Sequence, residues 1–478
     1  MAGAGAAGST GGGGAGQAGQ AGHVGQAGQT GQAGNAGGLG GAGGNPIFSP
    51  PGCGARLPAY AGTLCGPASL PCQTLVDETV ETTAVFRNRQ PAIATDSSGQ
   101  PQMIYYSAAG NYVGIWAIRS PAGVWQGETF PIAVASASLV VGADGLPVGL
   151  VNSGILPGTS LWRRGSGGWI RLDGADLGGY ESYDTGALVA TKDGCFHAGL
   201  LADVNGNAVY PGYALWNGRW NLTSFGYTSV GGVPAAVALA ADGTPYVAYW
   251  SYSSQGTGGL YLSWQGHASE LLDHADGTQD WPMRAFITVT ADGEGQPVPH
   301  VLYRAVGAAV AGGAAAPHVL IEAERATSGA WTKRTIATAS GKTSADCPAP
   351  ARSSGSCTID FTDVTPVAIV GTREGSTRLL YTADHTTATL VSVCMGGLDG
   401  APTTCSYQSQ MTTHDSELRL AWSNDDGSIG QTVVTRSKVA GQGELAASAT
   451  LDVLGRIHVG LFDGVSDTVV RYVLVGGS

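Results

Sequence analysis

The stretch AVALAADGTPYVAYWS, Ala236 to Ser251, reads as a strand of small and β-branched residues, a tight turn at Asp242 and Gly243, and a second strand ending in aromatics. Seven other segments lie over it. They are PAIATDSSGQPQMIYYS from Pro91, SLVVGADGLPVGLVNS from Ser138, ALVATKDGCFHAGLLAD from Ala187, FITVTADGEGQPVPHVLYRA from Phe286, VAIVGTREGSTRLLYTAD from Val367, MTTHDSELRLAWS from Met411 and ASATLDVLGRIHVGLFDG from Ala447. Copies of one hairpin predict a repeat architecture. The turn acids Asp96, Asp144, Asp193, Asp242 and Asp292 recur about every 50 residues, Glu374 follows after about 80, and Asp415 and Asp452 after about 40 each.

Between these hairpins lie two further strand candidates per repeat, tied by a Gly-rich turn and a Trp, as in VGIWAIRSPAGVWQGETF from Val113 and YALWNGRWNLTSF from Tyr213. Four antiparallel strands per repeat make the blade of a β-propeller. The expected fold is therefore all-β: a single propeller of eight four-stranded blades, or seven if Ser416 to Arg436 is an inserted hairpin. The Ala- and Val-rich first strands fit the crowded axis, and Tyr105, Tyr249, Trp250, Tyr303, Tyr381 and Phe462 fill the space between blades. The chain ends in TVVRYVLVGG, a third strand, so the strand near Thr74 to Phe86 is expected to complete the last blade from outside and close the ring.

Composition divides the chain further. Residues 1–50 are Gly, Ala and Gln with no apolar anchor for a core, and are expected to be a disordered tether. Residues 51–72, rich in Cys and Pro, read as a collar, and 73–478 as the propeller. The net charge of -12, with 23 basic residues spread over 478, excludes the dense basic face that nucleic acid requires. No run of 18 apolar residues spans a membrane, and Met1 leads into Gly and Ala without a secretory leader.

The eight cysteines point to an oxidising compartment. Cys347 with Cys357 and Cys394 with Cys405 are expected to pair locally, while the pairing of Cys53, Cys65, Cys72 and Cys195 is open. An extracellular or outer-surface protein follows from this, with a signal peptide and possible lipid anchor upstream of residue 1, and a monomeric state.

The low-complexity tether, the Cys-, Pro- and Gly-rich collar and the repeat domain together resemble bacterial surface lipoproteins that display a propeller on a stalk. The hairpins resemble the degenerate repeats of sialidase- and lectin-like propellers, whose Asp box is matched nearest by Ser423, Asp425 and Gly427, with Gly430 where the box has an aromatic. The arginine triad, Tyr/Glu pair and acidic Asp that a sialidase would bring are not assignable.

Few residues carry chemistry of their own. Asp-Gly pairs are turn formers, DHADGTQDW from Asp273 lacks calcium-loop spacing, and SGKTS from Ser340 lacks the first glycine of a phosphate loop, so neither metal nor cofactor is expected. His197, His300 and His458 share one slot at the start of the second strand, which suits a structural role. The longest segments fall on the face carrying the connections between blades. There Arg89, Tyr180, Tyr183, Asp184, Tyr227, Asp280, Trp281, Arg284 and Asp363 are the candidate ligand contacts, suited to stacking on sugars and bonding hydroxyls. A non-catalytic binding module for glycan or surface protein is the leading expectation. A glycoside hydrolase or polysaccharide lyase on the same face, with Asp184, Asp280 and Asp363 as acids, is the alternative, and a structural spacer the third.

Overall fold

The computed structural model describes residues 53–477 except 55, 57–59, 61, 83–89, 108–112, 154–157, 174–179, 205–208, 226–232, 253–256, 277–283, 308–316, 351–354, 374, 396–403, 425, 439–444 and 465–468; side chains at 180–184, 202–204, 209, 252, 257, 275, 276, 345, 395, 404 and 411 are also not described. Seven antiparallel sheets follow one another along the chain. Blade 1 spans residues 92–129, blade 2 136–171, blade 3 180–224, blade 4 236–276, blade 5 286–338 and blade 6 340–436. Blade 7 spans 445–477 and takes Cys72–Glu81 as its fourth strand.

The first strand of each blade packs against the first strand of the next: Ala92–Thr95, Ser136–Val141, Tyr180–Ala190, Ala236–Leu239, Phe286–Ala291, Ser356–Gly371 and Leu445–Leu451, which returns to Ala92–Thr95. The molecule is thus a closed propeller whose first strands surround the axis.

The blade is dictated by one turn. At Asp96, Gly142, Thr191, Ala240, Asp292, Thr372 and Asp452 the first turn residue donates its N–H to the carbonyl four residues on, and at all of these but Thr372 the Gly three residues on donates back to it. That Gly, at 99, 145, 194, 243, 295, 375 and 455, has φ between 76° and 93°, a conformation that costs Gly little and other residues more. Where Asp opens the turn, its carboxylate accepts two of the turn's own N–H groups, as Asp96 does from Ser98 at 2.8 Å and Gln100 at 2.9 Å.

Seven sheets, each with this turn between its first two blade strands, mean seven blades, the smaller of the two expected numbers. Met411–Ser423 is not a hairpin. It belongs to one strand, Thr404–Ser423, in which Asp415 pairs with His385 in mid-ladder; with Ile429–Arg436 it supplies the third and fourth strands of blade 6.

Blades are clamped in a repeating way. Arg119, Arg164 and Arg325, on third strands, hold Glu78, Glu128 and Glu270 on the preceding blade's fourth strand, and stack over Tyr472, Trp116 and Trp264. The slot histidines are buried: His197 and His458 each bond a third-strand tyrosine, Tyr213 at 2.7 Å and Tyr472 at 2.8 Å, and His300 lies 3.3 Å from Glu322.

The ring is latched by Cys72–Glu81 pairing with Val469–Gly477. At this seam Arg471, fully buried, binds Asp77 at 2.7 Å on the first strand of the chain and the fully buried Asp463. Arg471→Met takes the guanidinium from the buried Asp463, leaving it the Ser437 hydroxyl and the Lys438 N–H, and is expected to cost about 3–5 kcal/mol, read as a lower urea midpoint. A second outcome concerns acid. Burial favours the protonated form of Asp452, but its bonds to His458 and to the Arg456 N–H and guanidinium prevail and hold its pKa down to about 2. The folded pKa lies below the unfolded one, so the stabilisation, roughly 2 kcal/mol, is present above about pH 4 and lost as pH falls towards 2. Urea titrations of Asp452→Asn are therefore expected to differ from the native protein at pH 6 and to converge with it near pH 2.

Candidate functional site

Interblade connections enter the first strands on one face, here the upper, and the seven Gly turns lie on the other. The first strands of all seven blades enclose a cavity of about 600 Å³ on the axis. Its wall is mostly Ala, Val, Leu, Ile and Pro, with hydroxyls from Ser136, Ser138, Ser448 and Thr450. Ser138 and Ser448 donate to the Gly186 and Pro91 carbonyls of the following blade, so they fasten the ring as well as line it. Among the described lining residues no carboxylate and no histidine faces the cavity, and Arg284 is the charged side chain at its rim.

The lower face is crossed by the collar, which forms a strap. Cys53 is disulfide-bonded to Cys195 beside the blade 3 turn, and the Arg56 backbone bridges Thr191 there. Gly54 lies so close under the blade 4 turn that any side chain at Gly243 would strike its carbonyl. The Arg56 guanidinium reaches the Val289 carbonyl of blade 5 at 3.2 Å, and the Tyr60 carbonyl accepts from Arg373 of blade 6 at 3.1 Å. The buried Arg378 then donates to the Leu64 and Cys65 carbonyls, and burial lowers its pKa to about 10. The Cys65–Cys72 disulfide turns the strap into the closing strand. Tied to blades 3 through 7, the strap underlies the channel, and the cavity is approached from above.

The upper face also carries an arm. In blade 6 the strands Ser356–Gly371, Thr377–Met395 and Thr404–Ser423 continue well past the ring, since about ten residues beyond the blade extend roughly 30 Å. Disulfides Cys347–Cys357 and Cys394–Cys405 staple it, and Cys357, Ile359, Ala388 and Leu390 form its own small core against Phe361 and Tyr407. The extra length between the Gly turns of blades 5 and 6 holds the short strand Ser340–Lys342, the Cys347–Cys357 staple and the arm's first strand.

At the root of the arm Asp363 accepts from Arg304 and His318 of blade 5, both at 2.8 Å. Burial would raise the Asp363 pKa, but these partners and the Val364 N–H lower it, so the carboxylate is held ionised.

Of the residues singled out from sequence, Arg284 lies on the cavity rim and Asp363 at the arm root. Tyr180, Tyr183 and Asp184 belong to the first strand of blade 3, with only their backbone described. Arg89, Tyr227, Asp280 and Trp281 lie outside the described residues. Arg56, Arg304 and His318 were not foreseen; each acts on a partner from another blade, which leaves no local pattern.

Among the described residues no group of three or more His, Cys, Asp or Glu is gathered as metal ligands would be, and no helix is long and apolar enough to cross a membrane. The four disulfides suit an oxidising compartment.

No family model and no curated protein matches the chain. Solved structures that are similar in fold include an ulvan lyase, 13% identical over 84% of this chain and 95% of its own with a TM-score of 0.48. A protein of unknown function from Dyadobacter fermentans is 11% identical over 85% and 99%, TM-score 0.40. The fucose-specific lectin of Aleuria aurantia is 14% identical over 67% and 96%, TM-score 0.35. At these values the likenesses carry no argument about activity or ligand.

Asp363→Ala takes from Arg304 and His318 the carboxylate they share between blades. Hydrogen exchange of residues 356–365 and 382–391 is expected to quicken while the rest of the ring keeps its protection, a loss of about 1–3 kcal/mol confined to the arm root.

Proposed function

We propose that this chain is a secreted or cell-surface propeller acting as a non-catalytic binding module, which takes carbohydrate at the upper mouth and the foot of the arm. One observation carries this reading: the mouth left open by the strap has a described lining that is small, neutral and hydroxyl-bearing, without a carboxylate. Glycosidase chemistry requires an acid and a second carboxylate across the scissile bond, whereas binding requires a shaped wall, hydrogen-bonding groups and rigid support. The doubly stapled arm beside the mouth supports recognition, since a pre-ordered surface loses little entropy on binding. The disulfides favour an extracellular setting. Residues 1–50 would serve as the tether, with a lipid anchor upstream, to a monomeric head.

An enzyme remains the second reading because Asp363 is held ionised beside His318 and Arg304, a pairing of acid, imidazole and cation at the rim of the same face. A glycan array read first for retention and then, by mass spectrometry, for cleavage separates the two. The expected result is retention without new chain ends, weakened about tenfold or more by Arg284→Ala. Cleaved glycans that vanish with Asp363→Asn would establish the enzymatic reading instead. Protein partners but no glycan retained would replace the ligand class.

A further inference from the structure

Arg56 is an unusual group in the strap. Its Nη1 donates to the Val289 carbonyl on the first strand of blade 5. Ala291, two residues further on, gives its N–H to Arg373 of blade 6, so residues 289 and 291 turn their peptide groups away from their own blade, on the edge that borders the axis. The guanidinium is therefore on the axis side of the innermost strand. The cavity lining descends this strand as far as Ile287, and Val289 lies two residues below it, roughly 7 Å. The strap thus places a cation below the lowest residue that blade 5 contributes to the cavity lining.

Among the described residues no carboxylate lies within ion-pair distance of Arg56, whereas Arg119, Arg164, Arg304, Arg325 and Arg471 all have one. Of its five N–H donors the structure engages one, with the Val289 oxygen. Burial lowers its pKa with no opposing charge to restore it. In a chain of net charge -12, a partly buried guanidinium without a carboxylate partner among the described residues sits where an anion from outside would be worth most.

We infer that the axial cavity is an anion site that takes one ligand carboxylate down onto Arg56, the ligand's neutral remainder lying along the small-residue wall above. This names the ligand chemistry of the proposed upper-mouth site and rests on that reading for its route of entry. The carboxylate has two sources, an acidic sugar at a chain end and a free organic acid.

Calorimetric titration of the whole chain with digalacturonate, its methyl ester and citrate tests both. Digalacturonate or citrate is expected to bind at least tenfold tighter than the neutral ester, and to weaken as NaCl is raised while the ester does not. Arg56→Met is expected to remove the preference with a Tm equal to or above that of the native protein, because a lone desolvated cation has been removed; Arg56→Lys is expected to keep part of the preference. Should the Met variant not fold, the salt dependence and the Lys variant decide.

Equal affinity for digalacturonate and its ester, with citrate unbound, overturns the anion site and leaves the carbohydrate reading standing. Citrate bound through Arg56 while neither saccharide binds supports the anion site and removes the carbohydrate reading. Charged probes bound equally by native and Arg56→Met protein, or not bound at all, overturn the inference.

Discussion

Closure of the ring is the constraint on which everything else depends. Seven first strands pack in a circle only if the last blade finds its fourth strand, and that strand comes from the other end of the domain. Hydrogen bonding alone would leave the seam like any sheet edge. Arg471 makes it selective, because a fully buried guanidinium needs carboxylates from both sides of the junction and finds Asp77 on one and Asp463 on the other. The cost of burying that charge is offset when strand Cys72–Glu81 is seated, so ring and latch form together.

The latch also sets the difference between the two faces. The chain reaches Cys72 from beneath the ring, where the Gly turns of blades 3 and 4 meet the segment beginning at Cys53. A segment drawn across that face and fixed by two disulfides underlies the axis and leaves the upper mouth as the approach. The upper face, freed of this task, carries the prolonged strands of blade 6. Cavity, arm and strap are consequences of one chain path, and the small first-strand residues that allow close packing at the axis also give the cavity its neutral wall.

The architecture was largely legible because the hairpin repeats and its turn chemistry is local. The number of blades was harder to read. Following the acids led to Asp415, which lies within a strand, while the φ-positive glycines of the first-hairpin turns, Gly295, Gly375 and Gly455, are evenly spaced there. An acid at such a turn adds hydrogen bonds, whereas the glycine is demanded by the backbone itself, and the stronger requirement is the better marker. Of the residues expected on the connecting face, Arg284 lies at the cavity rim and Asp363 at the arm root, positions that follow from which segments emerge there. Arg304 and His318 sit in ordinary strand patterns and acquire meaning only when Asp363 of the next blade arrives beside them.

By itself the sequence determined what depends on neighbours along the chain: strand alternation, Gly turns, the repeat, the Gly-rich segment before the fold and the local cysteine pairs. It could not decide what depends on bringing distant segments together around an axis. The Cys53–Cys195 bridge, the contact of Arg56 with Val289 and the Arg471–Asp77 seam join residues 142, 233 and 394 apart. The physical reason is that a strand's own residues specify its pairing register, but the space enclosed by seven blades, and the charges that meet in it, exist only once the circle has closed.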